Sequence, residues 1–158
     1  MIMEDTKNLS MIIRNASEIE VQEIIYTLRT EHMRWEDIDP DRSRFYVAAD
    51  DQGSIKGFVR YESGILNALL ASLYVYPEYR EQNIGQSLVA YIEDVARSNF
   101  RRQLVLFSST AGDFFSSMGF DEVPLGEAMR LIRETPQGRW FDENEQHLSN
   151  QIAWIKNM

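Results

Sequence analysis

The chain has 158 residues, of which 44% are hydrophobic and 26% charged, and its formal net charge is −9 at pH 7. This length and apolar fraction suit one globular domain with a substantial core, while the acidic balance argues against a nucleic-acid partner. Cysteine is absent and no apolar run is long enough to span a bilayer, which excludes disulfides, cysteine-based metal sites and a membrane protein.

The first ten residues, MIMEDTKNLS, are polar and acidic, without the basic and apolar regions of a signal peptide. Residues 1–10 are therefore predicted to be a loose leader, residues 11–158 a single domain, and the location cytoplasmic. The only lysines among 16 basic residues are Lys7, Lys56 and Lys156. Such a surface fits a salt-rich cytoplasm or ordinary solubility charge, and the sequence leaves both open.

In the first half, one helix is predicted among several strands. Ser17 and Glu20 form a capping box before SEIEVQEIIYTLR, which has apolar residues at helical spacing. The polar segment EHMRWEDIDPDRSR is predicted to be a connection or a short second helix. The predicted strands are MIIRNA (11–16), RFYVAAD (44–50), IKGFVRYES (55–63) and the central ILNALLASLYVY (65–76), with a hairpin signal at Asp51-Gln52-Gly53.

The second half alternates helices and strands, which predicts a mixed α/β sheet. Predicted helices are the segment from Ile84 to Val95, TAGDFFSSMGF (110–120) and EAMRLIRE (127–134). Predicted strands are the buried RQLVLFS (102–108), the edge strand DEVP (121–124) and the last strand NQIAWIKN (150–157). The segment TPQGRWFDENEQH (135–147) is predicted to be a loop.

The stretch YPEYREQNIGQSLV, residues 76–89, joins a strand to a helix through several free backbone amides. Amides at a helix N-terminus, aided by the helix dipole, favour an anion. Gly85 allows a close backbone approach, Asn83 tolerates positive φ, and Arg80 adds a guanidinium. The pattern predicts an anion site, and a plain strand-to-helix connection remains the alternative.

Two motifs resemble the GNAT superfamily of acetyl-CoA-dependent N-acetyltransferases over roughly residues 11–124. Motif A of that family runs from a strand ending Val-x-Pro through [Gln/Arg]-x-x-Gly-x-[Gly/Ala] into a helix, and here it reads Val75-Tyr76-Pro77 and Arg80-Glu81-Gln82-Asn83-Ile84-Gly85. Motif B, Ala-x-x-Phe-Tyr-x-x-x-Gly-Phe, is matched at Ala111, Phe114, Gly119 and Phe120. The motif B segment resembles short GNAT enzymes that acetylate amino acids, of the N-acetylglutamate synthase and arsenic-resistance-operon types.

The resemblance implies an α/β GNAT fold: a mostly antiparallel central sheet with one splayed parallel pair, flanked by helices. It implies acetyl-CoA as cosubstrate and no metal, with pantetheine pairing along the end of the central strand and pyrophosphate on the amides of residues 81–86. It leaves a homodimer open. The implied cofactor-binding residues are Leu73, Tyr74, Val75, Arg80, Glu81, Gln82, Asn83, Ile84, Gly85, Gln86, Thr110, Phe114 and Phe115.

Two positions depart from the family pattern. Asn83 replaces the first glycine of motif A, which preserves access to positive φ. Phe115 replaces the motif B tyrosine that protonates the leaving thiolate in many relatives, and a phenyl ring has no proton to donate. Tyr74 and Thr110 are the alternative donors, beside water and the helix dipole.

The acceptor amine must lose a proton before it attacks the thioester, which calls for a general base. Glu62 is the predicted base because the resemblance implies a position beside the splayed strand. The alternatives are that Glu62 is only a solvated carboxylate at a strand end and that water serves as base.

The resemblance favours a small-molecule acceptor, an amino acid or amino-acid-like amine. Arg133 or Arg139 is predicted to bind its carboxylate. The resemblance places Trp35, Arg34 and His32 where relatives shape the acceptor site, and ordinary loop surface is the alternative for these three. Polyamines, aminoglycosides and protein N-termini remain alternatives. Two non-enzymatic readings also stay open, an acetyl-CoA-binding sensor and an interaction module that uses the Trp140–Phe141 segment.

Overall fold

The structure is a computed structural model that describes residues 11–110 and 112–158. The predicted leader and the motif B residue Ala111 lie outside the described residues. The strands are β1 Ile12–Asn15, β2 Arg44–Ala49, β3 Ile55–Ser63, β4 Ala68–Val75, β5 Gln103–Ser108, β6 Asp121–Val123 and β7 Ile152–Asn157. The helices are α1 Glu18–Thr30, α2 Ile84–Ser98, α3 Asp113–Ser117, α4 Leu125–Ile132, α5 Pro136–Glu143 and α6 Glu145–Leu148, with a 3-10 turn at Pro77–Tyr79.

The strands form one seven-stranded sheet in the order β1-β2-β3-β4-β5-β7-β6. Neighbouring strands are antiparallel except β4 and β5, which are parallel because α2 crosses between them. The predicted mixed, mostly antiparallel sheet flanked by helices is therefore confirmed, and β6 lies at an edge as expected. Among the described residues, no helix has both the length and the apolar character that a membrane span requires.

The parallel pair separates at its carboxyl end. Pairing between β4 and β5 ends at Leu70 opposite Leu106, although β4 continues to Val75. The β3–β4 register shifts in the same region, where Ser72 adopts a positive φ of 53°. A bulge of this kind bends a strand and redirects its side chains, so the expected splay of the central pair is confirmed.

Apolar layers cover both faces of the sheet because side chains alternate along each strand. On one face, α2 contributes the fully buried Leu88 and Ile92, one helical turn apart. On the other face, α1 contributes Ile24 and α5 contributes Phe141, each with 0% exposure. The capping box that begins α1 is present as predicted, with Ser17 and Glu20 bonding each other's backbone amides.

The prediction of a loop over residues 135–147 is wrong, because this segment forms α5 and α6. Thr135 caps α5 by accepting a hydrogen bond from the Gly138 amide at 3.1 Å, and Pro136 occupies the first turn, where a missing N–H costs nothing. Gly138 is needed because a Cβ there would overlap the carbonyl of Ile132. Proline and glycine thus serve here as helix-start and packing residues rather than as turn residues.

Candidate active site

A cleft of about 390 Å³ opens where β4 and β5 separate. Strand residues form its walls, and the connection after α1 covers one side. We call this cavity the cleft; its lining residues are His32, Met33, Arg34, Leu70, Ala71, Ser72, Leu73, Leu106, Phe107, Ser108, Ser109, Thr110, Phe115 and Gln151. The opening exists because the bulged end of β4 leaves its parallel neighbour, so backbone that would pair inside a regular sheet faces the cavity instead.

The loop before α2 has the conformation of an anion site. Glu81 and Asn83 both adopt a φ of 63°, and Asn83 makes no side-chain capping bond to the helix. The first amide bonded back to the loop is that of Ser87, which donates to the Asn83 carbonyl at 3.1 Å. The backbone amides that precede Ser87 lie at the N-terminus of a 15-residue helix, which is the positive end of its dipole. Gln82 in this loop and Gln86 in the first turn of α2 are exposed, whereas Ile84 is buried as the first apolar residue of α2.

Arg80 lies at the start of this loop. Its Nε donates to the carbonyl of Val75 at 2.8 Å, and its guanidinium lies 5.3 Å from the centre of the Tyr74 ring. Arg80 therefore fixes the turn between β4 and α2.

Motifs A and B meet through Gly85 and Phe114. A methyl group added at Gly85 would lie 3.5 Å from Cζ of Phe114 and 3.9 Å from Val75. The short helix α3 thus packs directly on the first turn of α2. Phe115, the next residue, lines the cleft, and its ring packs 6.1 Å from those of Phe120 and Trp154.

The cleft lining contains hydroxyl groups as well as Phe115. Ser109 and Thr110 are exposed and line it. Ser108 is already engaged, because its hydroxyl donates to the Thr110 carbonyl at 2.9 Å and accepts from Trp154 Nε1 at 3.2 Å. Ser109 and Thr110 are consequently exposed hydroxyl groups that share the cleft lining with Phe115, the position of the family tyrosine.

Tyr74 lies on the other face of β4, away from the cleft lining. Its ring stacks on Phe58 at 5.5 Å and packs edge-on against Tyr76 at 5.2 Å. Burial raises the pKa of the Tyr74 phenol, and the nearby Glu31 carboxylate raises this pKa further. The bulge at Ser72 sends Leu73 toward the cleft and Tyr74 toward α1, so the geometry disfavours Tyr74 as the donor to a thiolate.

Glu62 does not lie beside the splay, and this expectation is corrected. It pairs with Leu69, in the part of β4 that is still joined to β5, and its exposure is 0%. Oε1 accepts the Gln137 amide at 2.9 Å and Oε2 accepts the Ser43 hydroxyl at 2.5 Å. Burial raises the pKa of the Glu62 carboxyl, against the lowering effect of Arg60 and these hydrogen bonds. The catalytic role of Glu62 stays a prediction, with this enclosed geometry against it.

Arg34 is the arginine of the cleft. Its guanidinium lies 4.7 Å from the ring centres of both Trp140 and Phe141, and its Nε is buried with no hydrogen-bond partner in the described part of the chain. Burial lowers the pKa of Arg34, opposed by the Asp37 and Glu36 carboxylates. Among the residues described, none forms an ion pair with Arg34.

Of the other predicted acceptor residues, His32 lines the cleft, whereas Trp35, Arg133 and Arg139 lie outside its lining. Arg133 is exposed and pairs with Asp142 at 3.0 Å, and Arg139 borders a separate hollow between α5 and the connection 31–43. Trp35 contacts the Arg29 guanidinium at 4.7 Å on the outer side of that connection. Neither Arg133 nor Arg139 lines the cleft, and a role for either in binding the acceptor carboxylate stays a prediction.

Sequence reasoning missed Gln151 and Ser72 in the cleft and the buried network of Asp37, Arg60 and Gln137. Arg60 carried a signal, since a charged residue inside the apolar run GFVRY of a central strand requires a buried partner. Gln151 and Ser72 had no such signal in the sequence, because only the fold brings them to the place where β4 and β5 separate.

A family model described as "Acetyltransferase (GNAT) domain" matches residues 41–122, half of the chain. No curated protein sequence gives a significant match. Among solved structures, N-acetylglutamate synthase from Neisseria gonorrhoeae, solved with coenzyme A and N-acetyl-glutamate, is similar with a TM-score of 0.74 at 22% identity. The alignment covers 93% of this chain and 35% of the synthase, so the chain spans about a third of that relative.

Two other structures are similar over nearly their whole length. An acetyltransferase from Streptococcus agalactiae 2603 has a TM-score of 0.64 at 16% identity, covering 94% of this chain and 99% of that one. Rv2747 from Mycobacterium tuberculosis, solved with CoA and NLQ, has a TM-score of 0.65 at 16% identity, covering 93% and 99%. At these identities the likeness establishes the fold. Because the family model covers half of the sequence and the fold agrees, the chain belongs to the GNAT family and is an acetyl-CoA-dependent N-acetyltransferase.

Proposed function

We propose that this enzyme acetylates the α-amine of a small amino acid or amino-acid-like compound whose carboxylate binds Arg34. The observation that carries the proposal is the state of Arg34, a partly buried cation that lines the cleft without an ion-pair partner among the described residues. A desolvated guanidinium favours an anion, and its planar fork matches a carboxylate. The cation–π contacts with Trp140 and Phe141 hold it in place.

The loop and the splayed strand fit acetyl-CoA. The free amides of residues 81–86, beside Arg80, suit the pyrophosphate, and the unpaired edge of β4 from Ser72 to Val75 suits an extended pantetheine arm. Acetyl-CoA supplies the activated acetyl group as a thioester. The arrangement would direct that end of the molecule toward Phe115, Ser109 and Thr110 in the cleft.

Proton transfer at this site would use groups of the cleft. Among the described residues that line the cleft, none is a carboxylate, and His32 is the one whose side chain commonly serves as a general base. His32 is exposed at the mouth, where it or a water beside it would take a proton from the amine. Thr110 or Ser109 would donate toward the leaving thiolate, since Phe115 has no proton to give.

One of the similar solved structures supports an amino-acid acceptor through the molecule bound in it. The synthase from Neisseria gonorrhoeae was solved with N-acetyl-glutamate, the product of acetylating an amino acid. The chain covers only 35% of that protein, so the activity of the whole synthase is not carried over. The acidic net charge of −9 is the feature that would attract a polyamine, the alternative class.

The test is a screen in which CoA release and acetylated products are followed by a thiol reagent and mass spectrometry. The acceptors are the standard amino acids, spermidine, kanamycin and a peptide with a free N-terminus. We expect acetylation of the α-amine of one or more amino acids, and an acceptor KM about tenfold or more higher in Arg34→Met, as for a lost charged hydrogen bond. Acetylation of only spermidine, kanamycin or the peptide would refute the proposal.

A further inference from the structure

The connection 31–43, which brings Arg34 to the cleft, is joined to the protein interior by buried charges. Asp37 accepts hydrogen bonds from both terminal nitrogens of Arg60, at 3.0 and 3.1 Å, and from Nε2 of Gln137 at 2.8 Å. Arg60 comes from the central strand β3 and Gln137 from the first turn of α5. Exposure is 0% for Arg60, 5% for Asp37 and 6% for Gln137.

Gln137 takes part in this network twice. Its side chain reaches Asp37, while its backbone amide donates to Oε1 of Glu62. The other oxygen of Glu62 accepts the hydroxyl of Ser43, at the end of the same connection. The start of α5 is thus bonded to β3 through its backbone and to the connection through a side chain.

The same helix holds the cleft arginine. Trp140 and Phe141 follow Gln137 by about one turn, and their rings make cation–π contacts with the Arg34 guanidinium. Arg60 of β3 therefore bonds Asp37, Asp37 bonds Gln137 of α5, and α5 contacts Arg34 through Trp140 and Phe141. Asp37 and Arg34 both belong to the connection 31–43, so the connection is bonded to α5 at two places. None of the three buried network residues lines the cleft.

We propose that Asp37 and Gln137 are positioning residues for the acceptor, which act by fixing the connection 31–43 and α5 so that the Arg34 guanidinium faces the cleft. The inference rests on the proposed role of Arg34 in binding the acceptor carboxylate. The Arg34 side chain has several rotatable bonds and loses conformational entropy when its position is fixed. If the network fixes it before the acceptor binds, this entropy loss no longer reduces the acceptor affinity.

The test compares two variants that each replace a buried amide by an apolar group of similar size. Gln137→Met removes the side-chain bond to Asp37 and keeps the backbone bond to Glu62. Asn67→Leu removes amide hydrogen bonds with Leu131 and Gln103, which belong neither to the Asp37–Gln137 network nor to the cleft lining, and serves as the matched control for lost stability. Steady-state kinetics use the standard amino acid that is acetylated fastest, and hydrogen exchange is measured on residues 31–43.

We expect Gln137→Met to raise the acceptor KM about 5- to 10-fold, the size of one lost hydrogen bond, with an unchanged KM for acetyl-CoA and faster exchange in 31–43. Asn67→Leu should change neither. If Gln137→Met leaves the acceptor KM unaltered while Arg34→Met raises it, the positioning role is wrong and the proposed function stands. If Arg34→Met has no effect on the acceptor KM, the proposed carboxylate site itself fails.

A double variant decides whether the effect passes through Arg34. In the Arg34→Met background, Gln137→Met should add no further rise in acceptor KM, because the group that it positions is gone. Independent, multiplying effects would mean that Gln137 acts on the acceptor by another route and would overturn the inference.

Discussion

Arg60 and Asp37 form an ion pair through two hydrogen bonds of 3.0 and 3.1 Å, although they lie 23 positions apart in the chain and neither side chain is exposed to solvent. Glu62 lies 3.6 Å from the same guanidinium. One arginine therefore serves two buried carboxyl groups. Burying these charges is costly, so the cluster is sensitive to the loss of any single partner.

Replacing Arg60 by Met should lower the free energy of unfolding by about 3–5 kcal/mol, the range for breaking one side of a buried ion pair. The reason is that Asp37 would keep a buried charge with only the Gln137 amide as partner. Urea denaturation followed by circular dichroism measures the change. Arg14→Gln, which breaks the partly exposed pair with Glu20, is the control and should cost less than about 1 kcal/mol.

The loop of motif A gives a prediction about backbone conformation. Asn83 has a φ of 63°, which alanine adopts at a cost of about 1 kcal/mol and glycine adopts freely. Asn83→Ala should lower both stability and acetyl-CoA affinity, whereas Asn83→Gly should keep the affinity. Acetyl-CoA should raise the melting temperature of the wild type because it binds the folded state. Equal calorimetric affinities of the Ala and Gly variants would contradict this account of the loop.

Glu62 gives a prediction about the pH dependence of stability. Its folded pKa is raised above the ordinary value of 4.5, chiefly by burial. A raised pKa means that the folded state binds the proton more tightly, so this contribution is complete below pH 4.5 and is lost as pH rises through the folded pKa. Glu62→Gln should therefore gain stability relative to wild type as pH rises from 4 to 7. Urea denaturation across this range that shows a constant difference would contradict it.

The pH–rate profile separates two candidate bases. We expect kcat/KM to rise with pH and level off, and His32→Gln to lower kcat by about 10²-fold, as for a lost general base. Glu62→Gln should change kcat by less than about tenfold, because neither oxygen of Glu62 faces the cleft. A large loss in Glu62→Gln with a native melting temperature would return the role of base to Glu62. Full activity of His32→Gln would assign it to water or to the free amine.

Phe115→Tyr tests the unusual position of motif B. The ring already lines the cleft and is only partly buried among its aromatic neighbours, so the variant should fold normally. We expect kcat equal to or above that of the wild type, because the phenol adds a proton donor for the thiolate. A lower kcat with unchanged substrate KM values would show that the cleft uses the phenyl group for another purpose.

Local sequence signals determined much of the fold. The capping box at Ser17 and Glu20, the apolar spacing of α2 and the alternating strand patterns predicted elements that the structure confirms, because each depends on contacts between near neighbours in the chain. Motif A was equally local, since its glycine, asparagine and arginine form one turn. The loop predicted over 135–147 was wrong where Thr135 and Pro136 begin a helix, although this helix-start signal is present in the sequence.

Only the tertiary structure decided the content of the cleft and the partners of the buried charges. Arg34, Phe115 and Gln151 meet because β4 bulges away from β5, and no local pattern encodes a separation between strands that are far apart in sequence. Glu62 looked like a free carboxylate at a strand end, yet Ser43 and Gln137, 19 and 75 residues away, enclose it. The sequence determined which groups are able to do chemistry, and long-range packing determined which of them face the substrate, because burial and hydrogen bonding are settled by residues distant along the chain.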